Sequence, residues 1–336
     1  MSSGVPVHIQ PRVGIGRVVL SGSEQQEMLA LARYVTPDPT ADPEEFCQQA
    51  CRAAAYLPPY IAEPLRDFRR RGVRGGIVVI AGFPVRDVPP TPAGNTEHAG
   101  QHTPLARFQA IINEFLGSMV AYEAEGGGQL FQDMVPCAAA ATSQTSLSSA
   151  VELEVHTEQA FSELRPDFLS LACLRADPHA ATYVLPASRL AAALTPHDAA
   201  LLRKPRWTTT IDASFLAADR LFADGLERGP MPILYGADED PFMVLDQDLM
   251  RGVDDEAHEV LSRVVDVYLR ERSAYTLNEG DIAILDNLRT AHGRSPFRAR
   301  FDGTDRFVVR SFITRDLNRS RHARPRDCRT ISASCS

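Results

Sequence analysis

The sequence predicts a mainly β protein with flanking helices, and three observations support this fold class. The N-terminal quarter carries amphipathic helical patterns that lead into the β-rich run IVVIAGFPV. Runs rich in β-branched and aromatic residues recur between residues 129 and 177 and again near the C-terminus. The chain has 336 residues, of which 44% are hydrophobic and 23% charged, so it can bury a large core.

Three helices are expected before the first strand. Ser23 and Gln26 have the spacing of a capping box at the start of EQQEMLALARYV. Asp42 followed by Pro43 predicts the start of the second helix, because proline is well accommodated in a first helical turn. A third helix is expected over 61–71, before paired glycines turn the chain into the strand.

The middle of the chain is predicted to alternate between loops, strands and helices. Residues 86–104 are rich in proline, glycine and threonine and predict a loop, whereas 106–119 predict a helix. The candidate strands that follow are QLFQDMVP, AVELEVHTE and FLSLACLRA. Residues 223–243 predict a long loop of the kind that often serves as a lid. A helix is expected over 254–272, with its charges matched to the helix dipole. Its predicted apolar stripe consists of Val260, Leu261, Val264, Val265, Tyr268 and Leu269.

Composition and charge argue against several function classes. The net charge of −8 argues against nucleic acid as the main partner, because binding to phosphates needs a basic surface. No run of about 18 apolar residues appears, so no membrane span is expected. The N-terminus lacks the basic and apolar segments of a secretory signal. The six cysteines are scattered, which favours free thiols in a reducing cytoplasm.

The first candidate for chemistry is the motif His156-Thr157-Glu158. Side chains two residues apart on a strand share a face, so His156 and Glu158 are expected to point the same way. An imidazole and a carboxylate on one face, joined by a distant second histidine, match the facial triad of non-haem Fe(II) oxygenases. The alternative is an exposed histidine beside a solvated glutamate. With nine histidines and 43 acidic residues, about one such motif is expected by chance.

A second group of candidates lies near the C-terminus. His292 follows a probable strand, and Arg306 and Arg310 lie further along in the run RFVVR, where they would share one strand face. Two guanidinium groups among apolar residues favour carboxylate ligands, because the planar fork donates two parallel hydrogen bonds. Such a pair suits a 2-oxo diacid and an amino acid. The alternative is an exposed strand that is simply rich in arginine, since further arginines lie close by, namely Arg294, Arg298, Arg300, Arg315, Arg319 and Arg321.

These motifs together carry a resemblance to a known family. The segments HTEQAFSELRPDFLSLACLR and DNLRTAHGRSPFRARFDGTDRFVVRSFITRDL resemble the clavaminate synthase-like family of Fe(II)/2-oxoglutarate oxygenases. Within the family they are most similar to hydroxylases of free arginine and asparagine. The similarity is greatest over 120–320, and LPPYIAEPLRDFRRRGVRGGIVVIAGFPV also resembles the N-terminal part of the family. The tail at 321–336 shows no such similarity and, despite its arginines, is expected to be solvated.

The resemblance implies one oxygenase domain over 1–336 with a double-stranded β-helix, or jelly-roll, core. The implied parts are a helical N-terminal part (1–120), the jelly-roll core (121–320), a lid at about 219–243, an inserted helix (254–272) and the tail (321–336). The resemblance also implies that His156, Glu158 and His292 bind Fe(II). Arg306 matches the position that pairs with the distal carboxylate of 2-oxoglutarate, and Thr182 matches a hydroxyl that assists there.

The resemblance extends to the substrate contacts. Arg310 matches the arginine that holds the α-carboxylate of the amino acid, and Glu158 is expected to accept a hydrogen bond from its α-amine. Asp246 matches an acidic residue that contacts the end of the substrate side chain. The arginine hydroxylases carry a second aspartate where this chain has Val244, so we expect a ureido, amide or ammonium side chain rather than arginine, although Asp248 could compensate. Other substrate contacts are expected among Glu125, Gln132 and the stretch 146–149.

The function that follows is hydroxylation of a free L-amino acid with a long polar side chain, of the citrulline, arginine, lysine, glutamine or asparagine class. The reaction would consume O2 and 2-oxoglutarate, insert oxygen at C3 or C4, and release succinate and CO2. A cytoplasmic enzyme of secondary metabolism is expected, with neither nucleic acid nor membrane as partner, and the oligomeric state is open. The alternatives are a carrier-tethered or cyclised substrate, desaturation, or a jelly-roll protein that binds a metal or small acid without catalysis.

Overall fold

The computed structural model describes residues 14–212, 227–325 and 328–333. Its helices are α1 (Gly22–Tyr34), α2 (Pro43–Ala54), α3 (Pro59–Arg71), α4 (Pro104–Leu116), α5 (Ala187–Ala193), α6 (Pro196–Leu201) and α7 (Asp255–Glu271). The first nine strands are β1 (Gly16–Val19), β2 (Ile77–Ala81), β3 (Ser118–Tyr122), β4 (Gln132–Met134), β5 (Leu153–His156), β6 (Phe168–Arg175), β7 (Ala181–Pro186), β8 (Trp207–Thr210) and β9 (Glu227–Met231). The others are β10 (Leu234–Gly236), β11 (Pro241–Met243), β12 (Met250–Gly252), β13 (Ser273–Thr276), β14 (Ile282–Asp286), β15 (Thr290–Arg294), β16 (Phe307–Thr314) and β17 (Thr330–Ile331).

Two sheets form the centre of the protein. The larger has the strand order β1-β2-β14-β6-β16-β3-β17, with β4 also paired to β16, and the smaller has the order β13-β7-β15-β5. Side chains from both sheets, among them Leu171 and Val308 from the larger and Val184 and Tyr275 from the smaller, form one buried apolar cluster. Burial of this cluster removes apolar surface from water and holds the two sheets together. The predicted fold class, mainly β with flanking helices, is confirmed.

Helices cover the outer faces of the sheets. The N-terminal helices pack on the larger sheet through a cluster that includes Phe46, Phe68 and Phe108. On the other side, α7 packs in a cluster that includes Trp207. The indole N–H of Trp207 donates to the Ala257 carbonyl oxygen at 3.1 Å, so this buried tryptophan has its polar atom satisfied.

Three details of the predicted helices are wrong. The helix expected over 106–119 ends at Leu116, and the chain enters β3 at Ser118. The first helix begins two residues earlier than expected, because the Glu24 carboxylate accepts the backbone N–H of Ser21 at 2.6 Å and closes the capping box there. Ser23 therefore lies inside the helix. In α7, Leu269 is 51% exposed, whereas Val267, which was not part of the predicted stripe, is buried. Because each residue turns the helix by about 100°, the apolar stripe ends at Tyr268 and the next side chain points to solvent.

The segment predicted as a long loop contains ordered strands in its described part. Between residues 227 and 243 the chain forms β9, β10 and β11, of which β9 pairs with β8 and the other two form a hairpin. The prediction of an irregular loop failed there because pairing partners, which local composition does not reveal, satisfy the backbone. Residues 213–226, which include the start of the predicted lid, lie outside the described residues.

The tail is not a solvated extension over its described residues, 321–325 and 328–333. Thr330 and Ile331 form a parallel strand beside β3, and Arg329 is 7% exposed. The Arg329 guanidinium donates to the Glu114 carboxylate at 2.8 Å and to Glu44 at 3.0 Å. The expectation of a solvated tail was wrong because acidic partners far away in the sequence neutralise this arginine and allow its burial.

The described helices and cysteines add two simple findings. None of the helices in the described ranges combines the length and the apolar composition that crossing a membrane requires. The five cysteines within these ranges are free thiols, and Cys47 and Cys173 are buried. The described part of the chain is therefore held together by packing and hydrogen bonds rather than by disulfides.

Candidate active site

A cavity of about 340 Å³ opens between the two sheets. This volume suits small-molecule ligands. Six carboxylates and three guanidinium groups line it among the described residues, namely Glu125, Glu154, Glu158, Asp212, Asp246, Asp248, Arg294, Arg306 and Arg310. His156, His292 and Thr182 also line the cavity. The residues predicted to bind the metal and the oxo acid, together with Arg310 and Asp246, therefore line the same cavity, whereas Gln132 is not part of its lining.

Strand pairing brings the two predicted histidines together. His156 at the end of β5 lies directly opposite His292 on β15, and their ring centroids are 4.5 Å apart. Glu158 is not on the strand as predicted. It lies in the turn after β5, where its backbone N–H donates to the Asn287 Oδ1 at 2.8 Å and Gln159 has φ 52°. Candidate ligand atoms of the three residues all lie within 4.8 Å of one another, so the cluster can hold a metal ion.

The protonation states of the cluster suit a divalent metal. Burial lowers the pKa of His292, which favours the neutral ring that a metal ligand requires. Burial acts to raise the pKa of Glu158, but Arg310 and the two histidines outweigh it, and the pKa lies well below its usual range. The Nδ1–H of His156 donates to the Glu154 carbonyl oxygen at 2.8 Å, which leaves the Nε2 lone pair free. A metal-binding histidine is usually oriented by such a bond.

Arg310 is held at the boundary between the metal cluster and the rest of the cavity. Its guanidinium donates to the Glu158 carboxylate at 3.3 Å, to the Glu125 carboxylate, and through Nε to the Gln132 side-chain oxygen at 3.1 Å. It is 7% exposed, and Gln159 adds a hydrogen bond to Glu125 at 3.0 Å. Glu125 and Gln132, predicted only as members of a group of contacts, thus meet at the arginine itself.

Arg306 has a different environment. Its side chain is 8% exposed, and within the described ranges its guanidinium has no hydrogen-bond partner. Burial lowers the pKa of Arg306 below its usual range. Thr182 on β7 is 5% exposed and lies opposite Arg294 of β15 in the ladder. Arg306 and Arg310 are four residues apart, and both side chains line the cavity. The alternative of an exposed arginine-rich strand is therefore wrong for these two residues.

Edge pairing positions Asp246 beside the histidines. The Thr157 N–H donates to the Leu245 carbonyl oxygen at 2.7 Å, and Asp246 forms a bridge with His156. One carboxylate oxygen of Asp246 accepts the Leu249 N–H at 2.8 Å. Burial raises the pKa of Asp246 to about 6, against the lowering effect of His156. Val244 is 3% exposed and packs in an apolar cluster, so that position places no polar group in the cavity.

Two further residues were not singled out by the sequence. Asn287 holds the turn that carries Glu158, because its side chain also donates to the Glu158 carbonyl oxygen at 3.2 Å and to that of Pro166 at 2.8 Å. Arg294 was assigned to the exposed-strand alternative, but it is 5% exposed and donates to the Ser148 hydroxyl at 2.9 Å. Its position two residues after His292, on the same strand face, was the available signal.

Comparison with known proteins gives several relatives that cover most of this chain. L-lysine 3-hydroxylase of Catenulispora acidiphila is 53% identical over 94% of this chain and 88% of the relative. L-asparagine oxygenase of Streptomyces coelicolor is 32% identical over 94% and 95%, respectively. Clavaminate synthase 2 of Streptomyces clavuligerus is 30% identical over 88% and 91%. A comparison with models of protein families found no match.

Solved structures agree with these relatives. Asparagine oxygenase in complex with Fe(II), 2S,3S-3-hydroxyasparagine and succinate matches with a TM-score of 0.85 at 32% identity, covering 94% of this chain and 99% of that one. The non-haem iron oxygenase OrfP in complex with Fe and α-ketoglutaric acid matches with a TM-score of 0.80 at 28% identity, with the same coverage.

The fold, together with a cluster of two imidazoles and one carboxylate, defines a non-haem iron oxygenase. The chain belongs to the clavaminate synthase-like family of Fe(II)/2-oxoglutarate oxygenases. It is an amino-acid hydroxylase that works with Fe(II) and 2-oxoglutarate. The sequence-based predictions of the family, the enzyme class, the type of reaction and the cofactors are therefore confirmed.

Proposed function

We propose that this enzyme hydroxylates free L-lysine at C3. The observation that carries the proposal is the charge of the cavity. Arg310 lies between Glu125 and Glu158, whereas Glu154, Asp246 and other carboxylates line the remaining surface. A cavity with this excess of negative charge favours a cationic side chain over an amide or a ureido group. The 53% identity to an L-lysine 3-hydroxylase supports both the substrate and the carbon.

Fe(II) would be bound by His156, Glu158 and His292. The proposal is supported by the short distances among their ligand atoms, by the neutral His292, and by the His156 tautomer that leaves Nε2 available. Three ligands on one side leave coordination positions open for the reactants. With 2-oxoglutarate and O2, the metal supplies the oxidising chemistry that turns a C–H bond into C–OH and releases succinate and CO2.

The oxo acid would place its distal carboxylate on Arg306, with Thr182 assisting. Support comes from the burial of this guanidinium without a hydrogen-bond partner in the described part of the chain, since a buried cation is costly unless an anion pairs with it. A guanidinium binds a carboxylate through two parallel hydrogen bonds, which fixes orientation as well as position.

The amino acid would place its α-carboxylate on Arg310 and its α-ammonium against Glu158 and Glu125. A zwitterion needs a cation and an anion a few ångströms apart, and the bonds from Arg310 to both glutamates supply that arrangement. Asp246 would accept the side-chain ammonium, with Asp248 near it. The work of these residues is to hold one carbon at the metal and to exclude water. A lid over 219–243 is part of this proposal, and its first residues lie outside the described ranges.

The fold and setting complete the proposal. The two facing sheets and their shared apolar cluster support a jelly-roll core within a single domain. The free thiols support a reducing cytoplasm as the place of action.

The direct test is a substrate panel. The enzyme, loaded with Fe(II) and 2-oxoglutarate under argon, is offered lysine, ornithine, arginine, citrulline, glutamine and asparagine under air. We expect lysine to gain one oxygen in mass spectrometry, with succinate formed in equal amount, and NMR to place the hydroxyl at C3. Turnover of arginine or citrulline well above that of lysine would contradict the proposed substrate.

Asp246→Asn tests the proposed contact with the side-chain ammonium. Because a hydrogen bond to a charged group is worth about 1.5–3 kcal/mol, we expect kcat/KM for lysine to fall by about tenfold to a hundredfold. Asp248→Asn is the matched control, since it removes an exposed carboxylate from the same segment, and we expect a loss of a few-fold at most. Equal losses in the two variants would assign the ammonium contact to neither aspartate alone.

A further inference from the structure

The C-terminal segment, residues 328–333, lies against the strand that leads to the amino-acid end of the cavity. Two backbone hydrogen bonds join it to β3 and its end: the Ala121 N–H donates to the Arg329 carbonyl oxygen at 3.0 Å, and the Glu123 N–H donates to that of Ile331 at 2.9 Å. Ile331 is 1% exposed and packs in the cluster between the two sheets. The segment is therefore built into the sheet.

A side-chain contact joins the same segment to the glycine turn, defined as Gly126, Gly127 and Gly128. The Thr330 hydroxyl donates to the Gly128 carbonyl oxygen at 3.2 Å. A Cβ on Gly128 would lie 3.0 Å from the Thr330 Cγ2, so the two residues are in close contact. All three glycines have φ between 59° and 73°, which is the left-handed region that glycine adopts without steric cost. Glycine also loses more conformational freedom on folding than any other residue.

Glu125 immediately precedes the glycine turn, and its carboxylate contacts Arg310. The Glu125 N–H donates to the Tyr122 carbonyl oxygen at 3.0 Å, and the Gly128 N–H donates back to the Glu125 carbonyl oxygen at 3.3 Å. A turn of three glycines has no side chains that could hold its conformation. Contacts from outside the turn must therefore set where the Glu125 carboxylate lies, and Thr330 makes one of them.

We propose that the C-terminal segment is a positioning element for the amino-acid subsite, and that Thr330 is a positioning residue that acts through Gly128 and Glu125. The proposal rests on the proposed role of Glu125 in binding the α-ammonium. It concerns one end of the cavity only, because Thr182 lies on β7, Arg306 immediately precedes β16, and neither has a hydrogen bond to this segment among the described residues. Loss of the contact should weaken binding of the amino acid and leave binding of the oxo acid as it was.

Thr330→Val tests this with little disturbance, because valine keeps the Cγ2 contact and the strand preference and removes only the hydroxyl. Loss of one hydrogen bond worth about 1 kcal/mol predicts a KM for lysine raised about fivefold. The KM for 2-oxoglutarate and kcat should match those of the unaltered enzyme, and Tm should fall by no more than a few degrees, because the lost hydrogen bond also contributes to the fold. Ser332→Ala is the matched control: it removes a hydroxyl from the same segment whose bond goes to Glu123 at 3.2 Å, outside the turn. We expect no change in either KM.

Binding of lysine to the iron-loaded and 2-oxoglutarate-loaded Thr330→Val variant under argon is measured by calorimetry alongside turnover. We expect the Kd for lysine to rise about fivefold, in line with the KM. A KM for lysine unchanged in Thr330→Val, or KM values for lysine and 2-oxoglutarate that rise together with a lower Tm, would overturn the proposal. Absence of lysine turnover in the unaltered enzyme would instead refute the proposed function, so the two failures are distinguishable.

Discussion

His156→Ala should abolish iron binding and hydroxylation together. The substitution removes one of three ligands, and the loss should exceed the roughly 10–100-fold that removal of an outer-sphere partner costs. We therefore expect affinity for Fe(II), measured under argon by competition with a chelator, to fall by more than about 100-fold. Succinate formation should fall to the uncatalysed background. The thermal stability of the metal-free protein should change little, because His156 is only partly buried.

His258→Ala is the control for this experiment. His258 is exposed on α7 and takes no part in the cavity, so its loss should leave iron affinity and turnover unchanged. Retention of succinate formation in His156→Ala would exclude this residue as a ligand. If His156→Ala lost affinity for iron but bound lysine and 2-oxoglutarate as before, binding of the two small molecules would not depend on the metal. That outcome would favour the alternative of a binding protein without catalysis.

The residue types at the metal cluster could be predicted from the sequence, but their arrangement could not. A histidine and an acid two residues apart, a distant second histidine and two spaced arginines are visible as a pattern. The register that sets His156 opposite His292 depends on pairing of strands more than 130 residues apart. Local periodicity carries no information about such a partner. The turn at Glu158 likewise depends on Asn287, which belongs to another strand end.

Burial of charge was the least predictable property. The arginines of the tail suggest a solvated segment, yet Arg329 is buried because Glu114 and Glu44 lie where the tail meets the N-terminal helices. Arg294 was grouped with exposed arginines for the same reason. A charged residue is buried when its partner is brought to it by the fold, and that partner is a long-range property. Helix α7 was predictable in position because its apolar stripe and charged ends are local.

Arg306→Gln should separate the stability of the unliganded protein from its affinity for 2-oxoglutarate. Truncating one partner of a buried charge pair costs about 2 kcal/mol or more, so we expect the Kd for 2-oxoglutarate to rise by at least about 30-fold. The unliganded variant, by contrast, should be at least as stable as the unaltered protein. The substitution removes a buried cation for which the described residues offer no hydrogen-bond partner, and such a cation is costly.

Thermal unfolding of the iron-loaded protein under argon measures both effects. A ligand that binds only the folded state stabilises it by about 2.7 kcal/mol at 100 times its Kd. At the same 2-oxoglutarate concentration, a Kd raised about 30-fold leaves Arg306→Gln with less than about 1 kcal/mol of this stabilisation, so its Tm should rise much less than that of the unaltered protein. Arg298→Gln, a loss of an exposed guanidinium from the preceding loop, should behave like the unaltered protein. An undiminished 2-oxoglutarate shift in Arg306→Gln would contradict the assigned contact, because no other guanidinium in the cavity lining is both buried and without a hydrogen-bond partner among the described residues.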